Sequence, residues 1–204
     1  MGNDLVLETF RVWTQGCDAL RARIKVFENV RDIPYCYPAS RDPAEVLKQR
    51  RGSCSGKHYL LGELFRMLGL RVRHMICTHR FNESPLVFPP PMQEMLRKNE
   101  IVDLHDYLQI AVEDTWVDID ATWEHGLREF GFPGNDEWDG KGAMLLSVVA
   151  DDFAEAERDP ERLKEELLSK LTPRQRALRK QFLEALSQWV QELTAEIQRD
   201  PEKA

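Results

Sequence analysis

Apolar residues in the first third of the chain recur every three or four positions, which is the period of a helix that buries one face. The pattern covers residues 5–29, a short stretch after Asp42 and Pro43, and residues 55–68. Aspartate followed by proline is typical of a helix start, and Gly69 stands where a helix end is expected. We therefore predict three helices before residue 70.

The middle of the chain alternates apolar and polar residues, which is the period of a strand with one buried face. The alternation covers three stretches, 70–77, 105–112 and 115–122. The last two flank Glu113 and Asp114, which predict a hairpin turn in which Val112 faces Thr115. Residues 144–149 are predicted to add a closing strand.

The composition changes after residue 151. Residues 152–171 are predicted to form a charged helix, and Thr172-Pro173-Arg174-Gln175 is typical of the capped start of another. The last helix carries an apolar stripe formed by Leu178, Phe182, Leu186, Trp189, Leu193 and Ile197. We predict an α+β domain at residues 1–150 and a C-terminal helical extension at residues 151–204, which packs on the domain or mediates assembly.

Composition and charge exclude several classes of function. The 204 residues are 42% hydrophobic and 31% charged, as in soluble globular proteins, and the net charge is −7. Nucleic-acid binding needs a clustered basic face, and the dense basic run at residues 48–51 is too short to supply one. No stretch of the sequence is long and apolar enough to span a membrane, and the N-terminus lacks a secretory pattern.

The cysteines predict free thiols. They stand at positions 17, 36, 54 and 77 without C-x-x-C spacing, so no zinc site is predicted. Free thiols are typical of a reducing compartment, and we expect a cytoplasmic protein. Cys17, Cys36 and Cys77 are explained as core residues, the usual place of a free cysteine.

Cys54 differs from the others in its surroundings. The sequence 51–58, Arg-Gly-Ser-Cys-Ser-Gly-Lys-His, places it among small residues where a loop turns into a helix. Backbone N–H groups at a helix N-terminus favour negative charge, so a thiol there ionises more readily than a free one. The alternative is a small buried residue at a tight helix start. His58 is expected to be a helix residue outside the catalytic group.

The predicted hairpin supplies partners for this thiol. In the register set by the turn, Thr122 lies opposite His105, and Asp120 is one diagonal step away on the same face. Asp118 is a step further off, so Asp120 is the carboxylate expected to accept a hydrogen bond from His105 Nδ1. Cys54, His105 and Asp120 then form a nucleophile, a base and an orienting carboxylate.

These motifs resemble those of the transglutaminase-like superfamily. The similar segments are Gly52-Ser53-Cys54-Ser55-Gly56 before a helix, His105-Asp106-Tyr107-Leu108-Gln109-Ile110 in a strand, and Trp116-Val117-Asp118-Ile119-Asp120-Ala121-Thr122. The resemblance covers about residues 27–122, with alanine at position 121 where the family's pattern has proline. It implies a papain-like α+β core in which the helix that carries the nucleophile packs on an antiparallel sheet carrying histidine and aspartate.

The resemblance also implies an oxyanion hole made by the backbone N–H of Cys54 and a second hydrogen-bond donor. By analogy with papain-like enzymes, Gln49, five residues upstream, is the candidate for that donor, and Tyr35 or Tyr37 are alternatives. No metal and no organic cofactor is expected.

The expected function is hydrolysis or transfer of an amide acyl group through a Cys54 thioester. The expected substrate is a protein, a peptide or a small amide, with neither nucleic acid nor membrane as a partner. The C-terminal helix is the candidate contact for a homo-oligomer. Because the family includes members that have lost activity, the alternative is a non-catalytic binding or scaffold protein that keeps the fold.

Overall fold

This computed structural model describes residues 2–156 and 159–199, which form helices and one antiparallel sheet joined by loops. The helices are α1 (Gly2–Thr14), α2 (Ala19–Arg31), α3 (Pro43–Gln49), α4 (Cys54–Met67), α5 (Pro90–Lys98), α6 (Pro160–Ser169) and α7 (Pro173–Arg199). The strands are β1 (Val72–Arg80), β2 (Val102–Val112), β3 (Thr115–Ile119) and β4 (Ala150–Ala156). The fold class is α+β, as predicted. None of the helices in this part of the chain is both long and apolar enough to cross a membrane.

The sheet has the strand order β3-β2-β1-β4, and each neighbouring pair of strands is antiparallel. The predicted hairpin register is confirmed, because Val112 pairs with Thr115 and the β2–β3 ladder continues to Leu108 and Ile119. The two turn residues have φ values of 48° and 65°. Such left-handed turns match the right-handed twist of the flanking strands, so the hairpin forms without a glycine.

Helix α4 packs on the sheet through the apolar face that its sequence predicts. The core between them includes Leu60, Leu61, Leu64, Phe65, Leu108, Ile110 and Ile119, all fully buried. The chain leaves the helix at Gly69, whose φ of +79° lies in the left-handed region that favours glycine. This packing fixes the start of α4, and with it Cys54, relative to the hairpin of β2 and β3.

The N-terminal helix predicted over residues 5–29 is in fact two helices, α1 and α2. The chain turns at Gly16, with a φ of +71°, and Asp18 then caps α2 by accepting a hydrogen bond from the Arg21 backbone N–H at 2.8 Å. The three-to-four spacing of apolar residues continues across the break because both helices bury a face against the same core. The prediction of one helix was therefore wrong at the turn.

The predicted boundary at residue 150 runs through the sheet. Strand β4 pairs with β1, with Phe153 opposite Cys77, whereas residues 144–149 do not form the closing strand that the sequence predicts. The charged helix begins only at Pro160, where Asp159 caps it by accepting from the Arg162 N–H at 2.9 Å. Strand β4 lies at the edge of the sheet and is largely exposed, so its residues are as polar as those of a surface helix. This is why the sequence predicted a helix from residue 152. Residues after 150 thus complete the sheet.

Helix α7 packs on the rest of the chain and forms a second core. Its predicted start is confirmed, because the Gln175 N–H donates to Thr172 Oγ1 at 3.2 Å and the Thr172 N–H donates to Gln175 Oε1 at 2.9 Å. The buried members of this core include Tyr35, Phe81, Phe88, Phe132, Phe182, Leu183, Leu186 and Val190. The apolar stripe of the last helix is therefore used within the chain, where it covers the segments around residues 35 and 81–88.

Replacing Phe182 with alanine tests the contribution of this second core. Phe182 is fully buried, so Phe182→Ala should lower the free energy of unfolding by about 3–5 kcal/mol. The matched control is Phe153→Ala, the same change at a side chain that is 57% exposed, which should cost less than about 1 kcal/mol. Equilibrium urea unfolding measures both values, and equal losses would show that α7 contributes little to stability.

Candidate active site

A short connection between α3 and α4 places Cys54 at the first position of α4. The Gly52 N–H donates to the Pro34 carbonyl at 3.0 Å, and Gly52 bridges to Tyr35, so this loop is held against the preceding segment. On the other side, a Cβ at Gly56 would lie 2.5 Å from the Ser40 backbone oxygen. Small residues surround Cys54 because two stretches of backbone approach it closely.

His105 and Asp120 form a short, buried contact in this site. His105 Nε2 lies 2.7 Å from Asp120 Oδ2, and both side chains are buried. Asp120 also accepts hydrogen bonds from the Thr122 N–H at 3.0 Å, the Thr122 hydroxyl at 2.7 Å and the Ser147 N–H at 2.7 Å. The sequence prediction named the wrong ring nitrogen, because the carboxylate binds Nε2 and leaves Nδ1 for the thiol.

The charges of this group favour a thiolate beside an imidazolium. Burial acts to lower the pKa of His105, but Asp120 and then Cys54 raise it well above its ordinary value. Burial acts to raise the pKa of Cys54, but the Lys164 charge and the hydrogen bond with His105 lower it below its ordinary value. The pKa of Asp120 is also lowered, because His105 outweighs the effect of burial. The structure therefore brings Cys54, His105 and Asp120 together with complementary charges.

Three polar side chains that the sequence prediction did not include, Ser55, Asp106 and Lys164, form a hydrogen-bonded group next to Cys54. Asp106 Oδ2 lies 3.9 Å from Cys54 Sγ, accepts from Ser55 Oγ at 2.7 Å, and forms a short ion pair with Lys164. Lys164 Nζ donates to Ser55 Oγ at 2.8 Å and lies 4.0 Å from Cys54 Sγ. Ser55 and Asp106 follow Cys54 and His105 directly in the sequence, which is the one signal that pointed to them. Nothing in the sequence near the motifs indicates Lys164.

Gln49 does not belong to this site, which corrects the sequence prediction. It is the last residue of α3 and is exposed, and its Nε2 donates to Glu45 Oε2 at 3.0 Å. The next residue, Arg50, has a φ of 49° and turns the chain before it reaches Cys54. Spacing along the sequence therefore misled the prediction, because the side chain of Gln49 forms a pair on the surface of its own helix.

A cleft of about 410 Å³ opens at the thiol. Its lining residues from the N-terminal half include Tyr35, Tyr37, Pro38, Arg41, Ser53 and Cys54, and those from α6 and α7 include Glu161, Lys164, Leu168, Arg179 and Leu183. Both tyrosines that the sequence offered as alternatives to Gln49 thus border the cleft. The C-terminal helices form one wall of the cleft, so the candidate site extends beyond residue 150.

His58 connects the backbone at Cys54 to the backbone that follows β3. It is fully buried, with Nδ1 2.8 Å from the Cys54 carbonyl oxygen, and its Nε2 accepts from the Ala121 N–H at 2.9 Å. A nitrogen that accepts a backbone N–H carries no proton, so His58 is neutral and donates from Nδ1. Burial lowers its pKa to about 4, which keeps this tautomer at neutral pH. Although the sequence prediction left His58 outside the catalytic group, its ring joins the backbone at Cys54 to the backbone next to Asp120.

The other cysteines lack such partners. Cys36 and Cys77 are buried and Cys17 is partly exposed, and all are free thiols. Burial raises the pKa of Cys77 to about 11, the opposite of the shift at Cys54. Over residues 2–156 and 159–199, no group of three or more His, Cys, Asp or Glu side chains is arranged to hold a metal ion.

Two comparisons with known proteins gave a match. The model of the family described as "Transglutaminase-like superfamily" matches residues 12–121, which include Cys54, His105 and Asp120. A solved structure described as "a Putative Cysteine Protease from Cytophaga hutchinsonii" is similar, with 12% identity and a TM-score of 0.43. The match covers 76% of this chain and 50% of that one, so this chain spans half the length of that protein. No match was found among curated proteins.

Changing His58 to glutamine should alter how stability depends on pH. The pKa of His58 in the folded state, about 4, lies below the ordinary value of 6.5. The contribution of neutral His58 to the free energy of unfolding is therefore complete above pH 6.5. As pH falls from 6.5 to about 4, the unfolded chain takes up this proton first and stability declines. His58→Gln keeps an acceptor for Ala121 and does not titrate, so it should cost about 1–2 kcal/mol at pH 7. The difference from wild type should shrink towards pH 4.

The measurement is equilibrium urea unfolding at several pH values between 4 and 7. His125→Gln, the same change at an exposed histidine, is the matched control and should cost less than about 1 kcal/mol at pH 7. A difference between His58→Gln and wild type that stays constant with pH would contradict the neutral, doubly bonded state of His58.

Proposed function

Because the chain belongs to the transglutaminase-like superfamily, we propose that it is a thiol-dependent amide hydrolase or acyltransferase that acts through a Cys54 thioester. The observation that carries this proposal is the geometry around His105. Its Nε2 is bound to Asp120 at 2.7 Å, and its remaining nitrogen is left for a thiol whose pKa is lowered. An ionised cysteine beside a protonated histidine is suited to nucleophilic acyl chemistry.

Acylation follows from the charges of the resting pair. The Cys54 thiolate attacks the carbonyl carbon of the amide, and the electron pair of the C=O bond moves to oxygen. When this intermediate collapses, the C–N bond breaks and the leaving nitrogen takes the proton from His105 Nδ1. Asp120 keeps the ring oriented and stabilises it while it is charged. The products are the free amine and a thioester on Cys54.

Deacylation reverses the roles of the same groups. Water, or an amine acceptor, gives a proton to His105 as it attacks the thioester carbon. The C–S bond then breaks, and the acid or the new amide leaves while the Cys54 thiolate and His105 imidazolium are restored. Hydrolysis and transfer differ only in the acceptor, and the cleft of about 410 Å³ has room for part of a peptide or for a small amide.

The oxyanion needs two donors, and we assign them to Cys54 and Tyr35. The backbone N–H of Cys54 lies in the first turn of α4, where N–H groups have no acceptor within the helix. Tyr35 borders the same cleft, and burial followed by the charge of Cys54 raises its pKa well above the ordinary value, so it keeps its proton. Tyr37 stays the alternative, because its hydroxyl accepts from Arg179 at 3.4 Å and keeps its own O–H to donate.

Limited alkylation tests the nucleophile. With a small amount of iodoacetamide at pH 7, Cys54 should be labelled at least about tenfold faster than Cys17, since a thiolate is the reactive form. Cys17 is the suitable reference because it too is partly exposed. Peptide mass spectrometry measures both rates in the same sample.

Two variants complete the alkylation test. His105→Ala should slow the labelling of Cys54, because it removes the imidazolium from the sulfur. His125→Ala, at an exposed histidine, should leave the rate unchanged. Labelling of Cys54 as slow as that of Cys17 in the wild-type protein would overturn the enzyme proposal and favour the non-catalytic scaffold.

Tyr35→Phe tests the second oxyanion donor. Acylation of Cys54 by p-nitrophenyl acetate should slow by about 10²-fold, the usual effect of losing one such donor. Alkylation by iodoacetamide should be unchanged, because displacement at a saturated carbon forms no oxyanion. Tyr37→Phe serves as the matched control and should leave both rates near wild type. If Tyr35→Phe slowed neither reaction, the donor would have to be another group.

A further inference from the structure

The ammonium group of Lys164 is buried next to the thiol of Cys54. The side chain comes from α6, is only 2% exposed, and its Nζ lies 4.0 Å from Cys54 Sγ. Buried lysines are uncommon, because a charge is costly to remove from water unless it is paired. The position of this one, at the reacting atom, therefore needs a physical explanation.

The three N–H bonds of the ammonium have three recipients. One is directed to Asp106 Oδ2 in a short ion pair, and a second to Ser55 Oγ at 2.8 Å. The Ser55 hydroxyl donates its own proton to Asp106 Oδ2 at 2.7 Å, so it receives the lysine N–H on a lone pair. The third N–H is left for the sulfur of Cys54.

Asp106 opposes the effect of the lysine on the sulfur. Its Oδ2 lies 3.9 Å from Cys54 Sγ, about as close as the ammonium. A carboxylate shares its charge between two oxygens, whereas the charge of an ammonium is concentrated at one nitrogen. The lysine accordingly has the larger effect, lowering the pKa of Cys54 by more than Asp106 raises it.

A purely structural role explains the pair less well. Replacing a buried ion pair by apolar side chains is often neutral or stabilising, so folding alone does not require Lys164 and Asp106. Lys164 also lies outside residues 12–121, the part of the chain that matches the family model. The segment after Asp120 thus adds only the lysine of this pair, whereas Asp106 lies within the matched residues.

We propose that Lys164 is a further catalytic residue, a second cation that holds the Cys54 thiolate ready for attack besides the His105 imidazolium. This inference rests on the proposed function. Lys164 keeps its proton throughout the reaction. Its positive charge therefore also stabilises the thiolate that leaves when the thioester breaks. The charged and titratable groups that interact electrostatically with the sulfur include His105, Asp106, Lys164, Arg179, Tyr35, Tyr59 and Cys77.

The test is the pH dependence of Cys54 alkylation by iodoacetamide in the full chain. In Lys164→Met the midpoint of the rate profile should rise by about one pH unit, which slows labelling about tenfold below the midpoint. Lys164→Arg restores the charge and should return the midpoint towards wild type. Peptide mass spectrometry follows Cys54, with Cys17 as the reference in each sample.

Lys57→Met is the control for loss of a buried lysine. Lys57 is fully buried, but its Nζ donates to the backbone carbonyls of Arg31 and Thr122 at 2.7 and 2.8 Å. This variant should leave the midpoint of Cys54 unchanged. If Lys164→Met does not fold, the double variant Asp106→Asn with Lys164→Met removes both charges and should shift the midpoint in the same direction.

The outcomes separate this inference from the proposed function. A reactive Cys54 with the same midpoint in wild type and Lys164→Met, or in the double variant, overturns the role of Lys164 and leaves the enzyme proposal standing. A wild-type Cys54 that reacts as slowly as Cys17 overturns both.

Discussion

A carboxylate remains ionised in the interior only where several donors surround it, and Asp120 meets that condition. Its two oxygens accept from His105, from the backbone and hydroxyl of Thr122, and from the Ser147 N–H. The orientation and charge of His105 depend on this carboxylate, and the ionisation of Cys54 depends in turn on His105. The charge of His105 therefore depends on the backbone N–H groups after β3 that hold Asp120 ionised.

That backbone is positioned by the point at which the hairpin ladder ends. Pairing between β2 and β3 continues to Leu108 and Ile119 and stops before Asp120. The N–H of Ala121, two residues past the end of the ladder, is donated to His58 of α4 instead of to a neighbouring strand. The backbone at the end of the ladder is thus connected to the helix that begins at Cys54 through one buried histidine.

Features that depend on local sequence were predictable, and those that depend on distant packing were not. The turn after Val112 sets the register of the hairpin, so the proximity of His105 and Asp120 followed from spacing alone. The ring nitrogen facing Asp120 depends on side-chain rotation, which spacing does not determine. Gln49 was misplaced because the left-handed turn at Arg50 is not evident from its residue type. Lys164 reaches Cys54 across 110 residues, and only the docking of α6 brings them together.

Lys164 comes late in the chain and is therefore synthesised after the residues that it contacts. The ribosome makes the chain from its N-terminus, so Cys54, His105 and Asp120 emerge before Lys164, which follows Asp120 by 44 residues (164 minus 120). Until α6 emerges and docks, Asp106 lacks the Lys164 cation. Under the role proposed for Lys164, the thiol of Cys54 would ionise less readily in the nascent chain than after this docking.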